Sequence, residues 1–137
     1  MFYAKLYGLE DPEAKAHQAI NEVGLQLRKH DRVRTFSRGM QQRMTIARAT
    51  LHDPSVLFLD EPFTGLDLQA TNVLKEYLHE LHTVKRTIIM TTHDISCGLE
   101  MCDKVAVQSK GKFVLLESLD RIDRENFENL YMEALDR

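Results

Sequence analysis

The chain has 137 residues, 43% hydrophobic and 28% charged, with a net charge of −3. That length suits one domain with a modest core rather than two, and the absence of a basic excess argues against nucleic-acid binding. No apolar run approaches the ~20 residues of a bilayer span, and the start, Met1-Phe2-Tyr3-Ala4-Lys5, lacks a signal-peptide pattern. Cys97 and Cys102 are isolated thiols, neither a CxxC pair nor a disulfide framework. A reduced, cytoplasmic protein that meets a membrane only from its side is expected.

In chain order, residues 2–7 predict one or two helical turns stopped by Gly8. Asp11-Pro12 is a helix start, with Asp as cap and Pro where its missing N–H does no harm. Ala16, Ala19, Ile20 and Val23 repeat at helical spacing, and Gly24 closes the helix. Residues 25–36, with Arg28, Lys29, His30, Arg32 and Arg34, read as a solvated basic connection. Ser37 then caps a long helix whose apolar stripe is Met40, Met44, Ala47 and Leu51, ended by His52-Asp53-Pro54.

Val56-Leu57-Phe58-Leu59, bounded by Pro54 and Pro62, is too short for a helix and predicts a strand over 55–60, buried on both faces. It delivers two adjacent carboxylates, Asp60 and Glu61. Asp67 caps a further helix carrying Ala70, Val73, Leu74, Tyr77, Leu78 and Leu81 on one face. A second strand covers 87–91, and Asp94 caps a helix with Ile95, Leu99 and Cys102 on one side. Lys110-Gly111-Lys112 turns a hairpin between Val105–Val107 and Phe113–Leu116, and Phe127–Leu135 closes the chain as an amphipathic helix.

Strand, helix, strand, helix and hairpin make an α/β arrangement with a parallel central pair. The right-handed crossover puts both carboxyl ends on one edge, so Asp60-Glu61 and His93 are expected there together. Ser37-Arg38-Gly39, opening a helix, offers backbone N–H groups to an anion. An anion-binding helix start, a carboxylate pair and a histidine are parts that a nucleotide triphosphatase uses.

In these motifs the chain closely resembles the ATP-binding subunits of ABC transporters. Phe36-Ser37-Arg38-Gly39-Met40-Gln41-Gln42-Arg43 resembles the family signature, and Val56–Pro62 the Walker B strand with its glutamate. Thr64-Gly65-Leu66-Asp67 looks like the D-loop, and Thr92-His93-Asp94 the switch histidine. The signature, with Arg38 for a glycine and Met40 for a glutamine, looks most like that of ABC-2 type and haem exporters. The resemblance implies ATP and magnesium as cofactors, a second ATP-binding subunit and a membrane permease as partners, and a peripheral place on the cytoplasmic face.

It further implies that Asp60 holds magnesium through its waters, Glu61 polarises the attacking water, and His93 meets the γ-phosphate. Ser37, Arg38, Gly39, Met40 and Gln42 would face nucleotide held mainly by the second subunit, and Asp67 would communicate across the dimer. By the same resemblance residues 1–53 correspond to the helical subdomain with the signature helix. Residues 54–117 carry Walker B through the hairpin, and 118–137 the final helix. Two other readings stand beside the transporter: a soluble, non-transport ATPase of the same family, or a non-catalytic docking remnant.

The six glycines stand at 8, 24, 39, 65, 98 and 111, and none lies in a G-x-x-x-x-G-K-[ST] phosphate loop. The resemblance thus covers only the later part of the domain, a partial P-loop-type fold with an expected open sheet edge. His79 and His82 beside Glu76 read as a solvated helix face, and the cysteines as core filler. The 137 residues alone are expected to bind ATP weakly and hydrolyse none. Steady-state ATP turnover by the purified chain, lost on Glu61→Gln, would contradict this.

Overall fold

The computed structural model describes residues 1–83 and 86–135. Two compact units result, Met1–Thr91 and Thr92–Arg137. The first contains α1 (Phe2–Leu6), α2 (Pro12–Glu22), α3 (Arg38–Thr50), β1 (Val56–Asp60), α4 (Leu68–Thr83) and β2 (Thr87–Thr91). The second contains α5 (Ile95–Met101), β3 (Lys104–Ser109), β4 (Lys112–Ser118) and α6 (Phe127–Leu135).

The four expected caps all form. Asp11, Ser37, Asp67 and Asp94 accept the amides of Ala14, Met40, Ala70 and Cys97, satisfying helix-start donors that lack helical acceptors. Gly24 stops α2 with φ +66°, where the Leu25 amide reaches back to the Ile20 carbonyl. The basic connection contains two short 3-10 turns, Gln26–Arg28 and Val33–Thr35. Between β3 and β4, Lys110 and Gly111 both take positive φ, +48° and +77°, as a two-residue turn matched to strand twist requires.

β1 and β2 pair in parallel, in register from Val56 opposite Thr87 to Asp60 opposite Thr91. The sheet has these two strands and no more among the described residues. This corrects the expectation of a strand buried on both faces: Leu57 and Leu59 are buried, but Val56 is 44% and Phe58 73% exposed. Ile89, on the same face, is 46% exposed. Side chains alternate across a strand, and only one face of this pair is covered.

The stripe of α3 is also corrected. Gly39, Ile46 and Ala47 are the buried positions, whereas Met40 and Met44 are half-buried. The cause is a close approach: a methyl at Gly39 would lie 2.9 Å from the Ala70 Cβ of α4. The helix therefore turns its glycine toward α4. On the same side Arg43 Nη1 donates to the Val23 carbonyl at 2.8 Å, tying α3 to the end of α2. Tyr7 stacks on His52 and the Arg48 guanidinium lies over Tyr3, which hold α1 beside α3.

Leu74, Tyr77 and Leu78 of α4 are almost wholly buried, as the periodicity predicts. Arg86 is buried as well; it donates from Nε to the Pro54 carbonyl at 2.6 Å and pairs with Asp53, clasping the lead into β1. In the second unit Val107, Ile122 and Phe127 form a small core with Ile95 and Leu99 packed on it. Cys97, rather than Cys102, is the buried thiol of α5, because the helix ends at Met101.

Tyr77 joins α4 to α3 through a 2.7 Å hydrogen bond with the Thr50 hydroxyl, and burial pushes its phenol above the usual value. The unfolded chain, with its phenol near the ordinary ~10, gives up that proton first as pH rises. The stabilisation is therefore complete below pH ~10 and lost above it. In denaturant titrations from pH 8 to 11.5, Tyr77→Phe is expected to flatten this alkaline fall while removing about 1 kcal/mol at neutral pH. An unchanged alkaline limb would contradict the assignment.

Candidate functional site

The in-register ending of β1 and β2 brings Asp60 beside Thr91, both on the exposed face that carries Phe58 and Ile89. The Thr91 hydroxyl donates to Asp60 Oδ1. This fixes one carboxylate oxygen at the carboxyl edge of the sheet. Thr91 was not among the expected site residues; its signal in the sequence is only that both strands end at the same level.

Glu61 no longer follows the strand. Its φ is +45°, in the left-handed region that a residue with a Cβ occupies at an energetic cost. Two bonds to β2 hold it there: the Glu61 amide donates to the Thr91 carbonyl at 3.1 Å and lies 3.3 Å from the Thr91 hydroxyl. Glu61 Oε2 accepts from the Thr64 hydroxyl at 3.0 Å. Strand alternation, which would aim two adjacent side chains in opposite directions, thus stops at Asp60. The separation of Glu61 from Asp60 comes from a strained turn instead, the kind of backbone that clusters at functional sites. No sequence feature of a glutamate foretells it.

The turn runs on through Pro62, buried, and Gly65, whose φ is +73°, to Asp67, whose carboxylate caps α4 through the Ala70 amide at 2.8 Å. Against this turn lies the start of α3. Ser37 Oγ accepts the Met40 amide at 3.3 Å, and the first bond of the helix runs from the Gln41 amide to the Ser37 carbonyl. The amides of Arg38 and Gly39 are left outside the helix's own ladder. Ser37 is exposed and Gln42 half-buried. Gln41, not expected to matter, fixes the approach by donating from Nε2 to the Phe36 carbonyl at 3.0 Å.

The first unit therefore brings together Ser37, Arg38 and Gly39 with the turn 61–67, and Asp60 and Glu61 with Thr91. His93 belongs to the second unit, where it is exposed between Thr92, whose hydroxyl accepts the Asp94 amide at 3.1 Å, and the Asp94 cap.

Among the described residues no group of three or more His, Cys, Asp or Glu could cage a metal ion, and His79 and His82 join none. A lone exposed carboxylate at a strand end fits magnesium, which is held by one or two carboxylates with waters and phosphates. It does not fit structural zinc. The exposed start of α3, with two amides outside the helix ladder, fits a phosphate oxygen.

A parallel strand pair with acids at its carboxyl edge and an anion-ready helix start defines an α/β nucleotide-binding domain. The comparisons agree. The model of the family described as "ABC transporter" matches residues 4–64. A fluoroquinolones export ATP-binding protein of Mycobacterium tuberculosis is 41% identical over 117 residues, 85% of this chain and 38% of that protein. The ABC transporter ATP-binding protein NatA of Bacillus subtilis is 34% identical over 99% of this chain and 58% of its own length. Among solved structures, an ATP-binding subunit of an ABC transporter superposes with a TM-score of 0.80 at 29% identity, over 97% of this chain and 59% of that one.

The chain belongs to the ABC transporter ATP-binding family and corresponds to part of its nucleotide-binding domain. It spans between 38% and 58% of the length of these curated relatives.

Glu61→Gly tests the strained turn. Glycine takes positive φ freely, so stability is expected to hold or rise by up to ~1 kcal/mol despite the lost Thr64 contact. Thermal denaturation showing a loss of 1 kcal/mol or more would contradict the strain.

Proposed function

We propose that the chain is the later portion of an ATP-binding subunit that hydrolyses ATP to drive an exporter of the ABC-2 type. It would work on the cytoplasmic face with a membrane permease and a second ATP-binding subunit. No helix among the described residues is long and apolar enough to cross a membrane; in this reading a permease supplies the path. Export is favoured by the names of two relatives, the fluoroquinolones export protein and a linearmycin resistance ATP-binding protein of Bacillus subtilis. In this reading residues 1–53 are the helical subdomain with the signature helix, 54–117 the Walker B to hairpin segment, and 118–137 the closing helix.

The observation that carries the reading is the acid pair: Asp60 pinned by Thr91, and Glu61 turned aside in left-handed backbone. Magnesium, when bound, neutralises charge on the phosphates. Asp60 would meet it through the oxygen not engaged by Thr91. Glu61 is the general base, orienting water and taking its proton on the carboxylate. His93 would meet the terminal phosphate.

Ser37 uses a lone pair for its cap, which leaves its hydroxyl proton to donate to phosphate. The amides of Arg38 and Gly39 point the same charge at it. Met40 supplies no polar contact, and the half-buried Gln42 could add one. Asp67, engaged in its cap, would signal across the dimer by shifting with α4.

The test joins the chain to the phosphate-loop portion of a relative, matched at residue 1, and measures magnesium-dependent ATP turnover. Glu61→Gln and His93→Ala are each expected to lower turnover at least ~100-fold. Turnover indifferent to both would overturn the proposal.

A further inference from the structure

Arg38 occupies the position where the family signature carries glycine, and its side chain has gone somewhere specific. A methyl built on Gly65 would lie 2.7 Å from both Cζ and Nη1 of Arg38, and 2.9 Å from its Nε. Three atoms of one planar group at nearly equal distance mean that the guanidinium lies flat across Gly65. The φ of +73° requires glycine there, and its bare Cα is the surface that the arginine covers.

One residue on, Gly39 makes the second contact. A methyl there would meet the Ala70 Cβ at 2.9 Å and Leu66 Cδ2 at 3.6 Å. The tip of α3 thus touches residues 65–70 through an arginine laid outward and a glycine pressed inward. Between the contacts the turn is tied to itself, Thr64 amide to Glu61 carbonyl and Leu66 amide to Phe63 carbonyl. Glu61 begins this turn.

We propose that Arg38 is a positioning residue, whose guanidinium clasps Gly65 and makes the start of α3 and the turn 61–67 one mechanical unit. A flat, weakly hydrated cation suits this role: it covers a glycine's backbone face and is content near solvent, which a lysine ammonium does not match. What the unit does rests on the ATPase reading, in which it ties the phosphate-facing helix tip to the segment bearing the general base. The coupling itself needs no nucleotide.

Hydrogen exchange on the full chain, without nucleotide, tests it. Arg38→Ala is expected to speed exchange of the Thr64 and Leu66 amides about tenfold, while the amides of α2 and the β1–β2 pair keep their rates. Arg38→Lys is expected to restore less than half of that protection. A pairwise readout separates clasping from general stability. Gly65→Ala, strained by its φ in either background, should disturb the turn less in the Arg38→Ala background, where no guanidinium has to move aside.

Unchanged turn exchange in Arg38→Ala, a uniform rise across the whole first unit, or strict additivity with Gly65→Ala would each overturn the inference. A magnesium-ATP titration of the chain joined to the phosphate-loop portion reports on the ATPase reading separately. The clasp can therefore fail with nucleotide binding intact, or hold without it.

Discussion

The parallel register of β1 with β2 is the constraint from which the site follows. Because Asp60 stands opposite Thr91, both strands stop at one level, and a single threonine serves both acids. Its hydroxyl holds the Asp60 carboxylate and its carbonyl holds the Glu61 amide. A slip of one residue would send Asp60 to the opposite face and remove both contacts. The register is itself supported from below, where Arg86 bonds the Pro54 carbonyl and pairs with Asp53 as the chain enters β1.

The second determinant is close packing at glycine. Gly39 lets α3 approach α4 nearer than any side chain would allow, and Gly65 lets Arg38 lie across the turn. The two candidate halves of the site, a helix tip with amides outside its ladder and a turn with an acid in left-handed backbone, are thereby built against each other. Backbone strain at Glu61 persists because neighbouring bonds over-determine it. The apolar face of β1–β2 around Phe58 remains open, consistent with a chain that spans only part of its relatives' length.

Much of this was legible in the residues. The helix starts are legible because Asp11, Ser37, Asp67 and Asp94 act locally, through an oxygen reaching an amide three residues on. The strands were legible from short apolar runs between turn residues, and the family from the ordered motifs around Ser37, Asp60, Asp67 and His93. What escaped depends on distant partners. The rotation of α3 is set by Ala70, the one-sided burial of β1 by the number of strands present, and the resting place of the Arg38 guanidinium by Gly65. The left-handed Glu61 escaped because glutamate has no preference for that backbone, so only tertiary bonds reveal it.

In the proposed function the carboxyl edge of β1–β2 receives the magnesium of a bound nucleotide. Manganese, substituting for magnesium as the ATP complex, broadens NMR signals of nearby amides and can be applied to the chain joined to a phosphate-loop portion. Selective broadening at Asp60, Glu61 and Thr91, abolished by Asp60→Asn, is the predicted result. Broadening elsewhere, or none at these three residues while the nucleotide is bound, would contradict it.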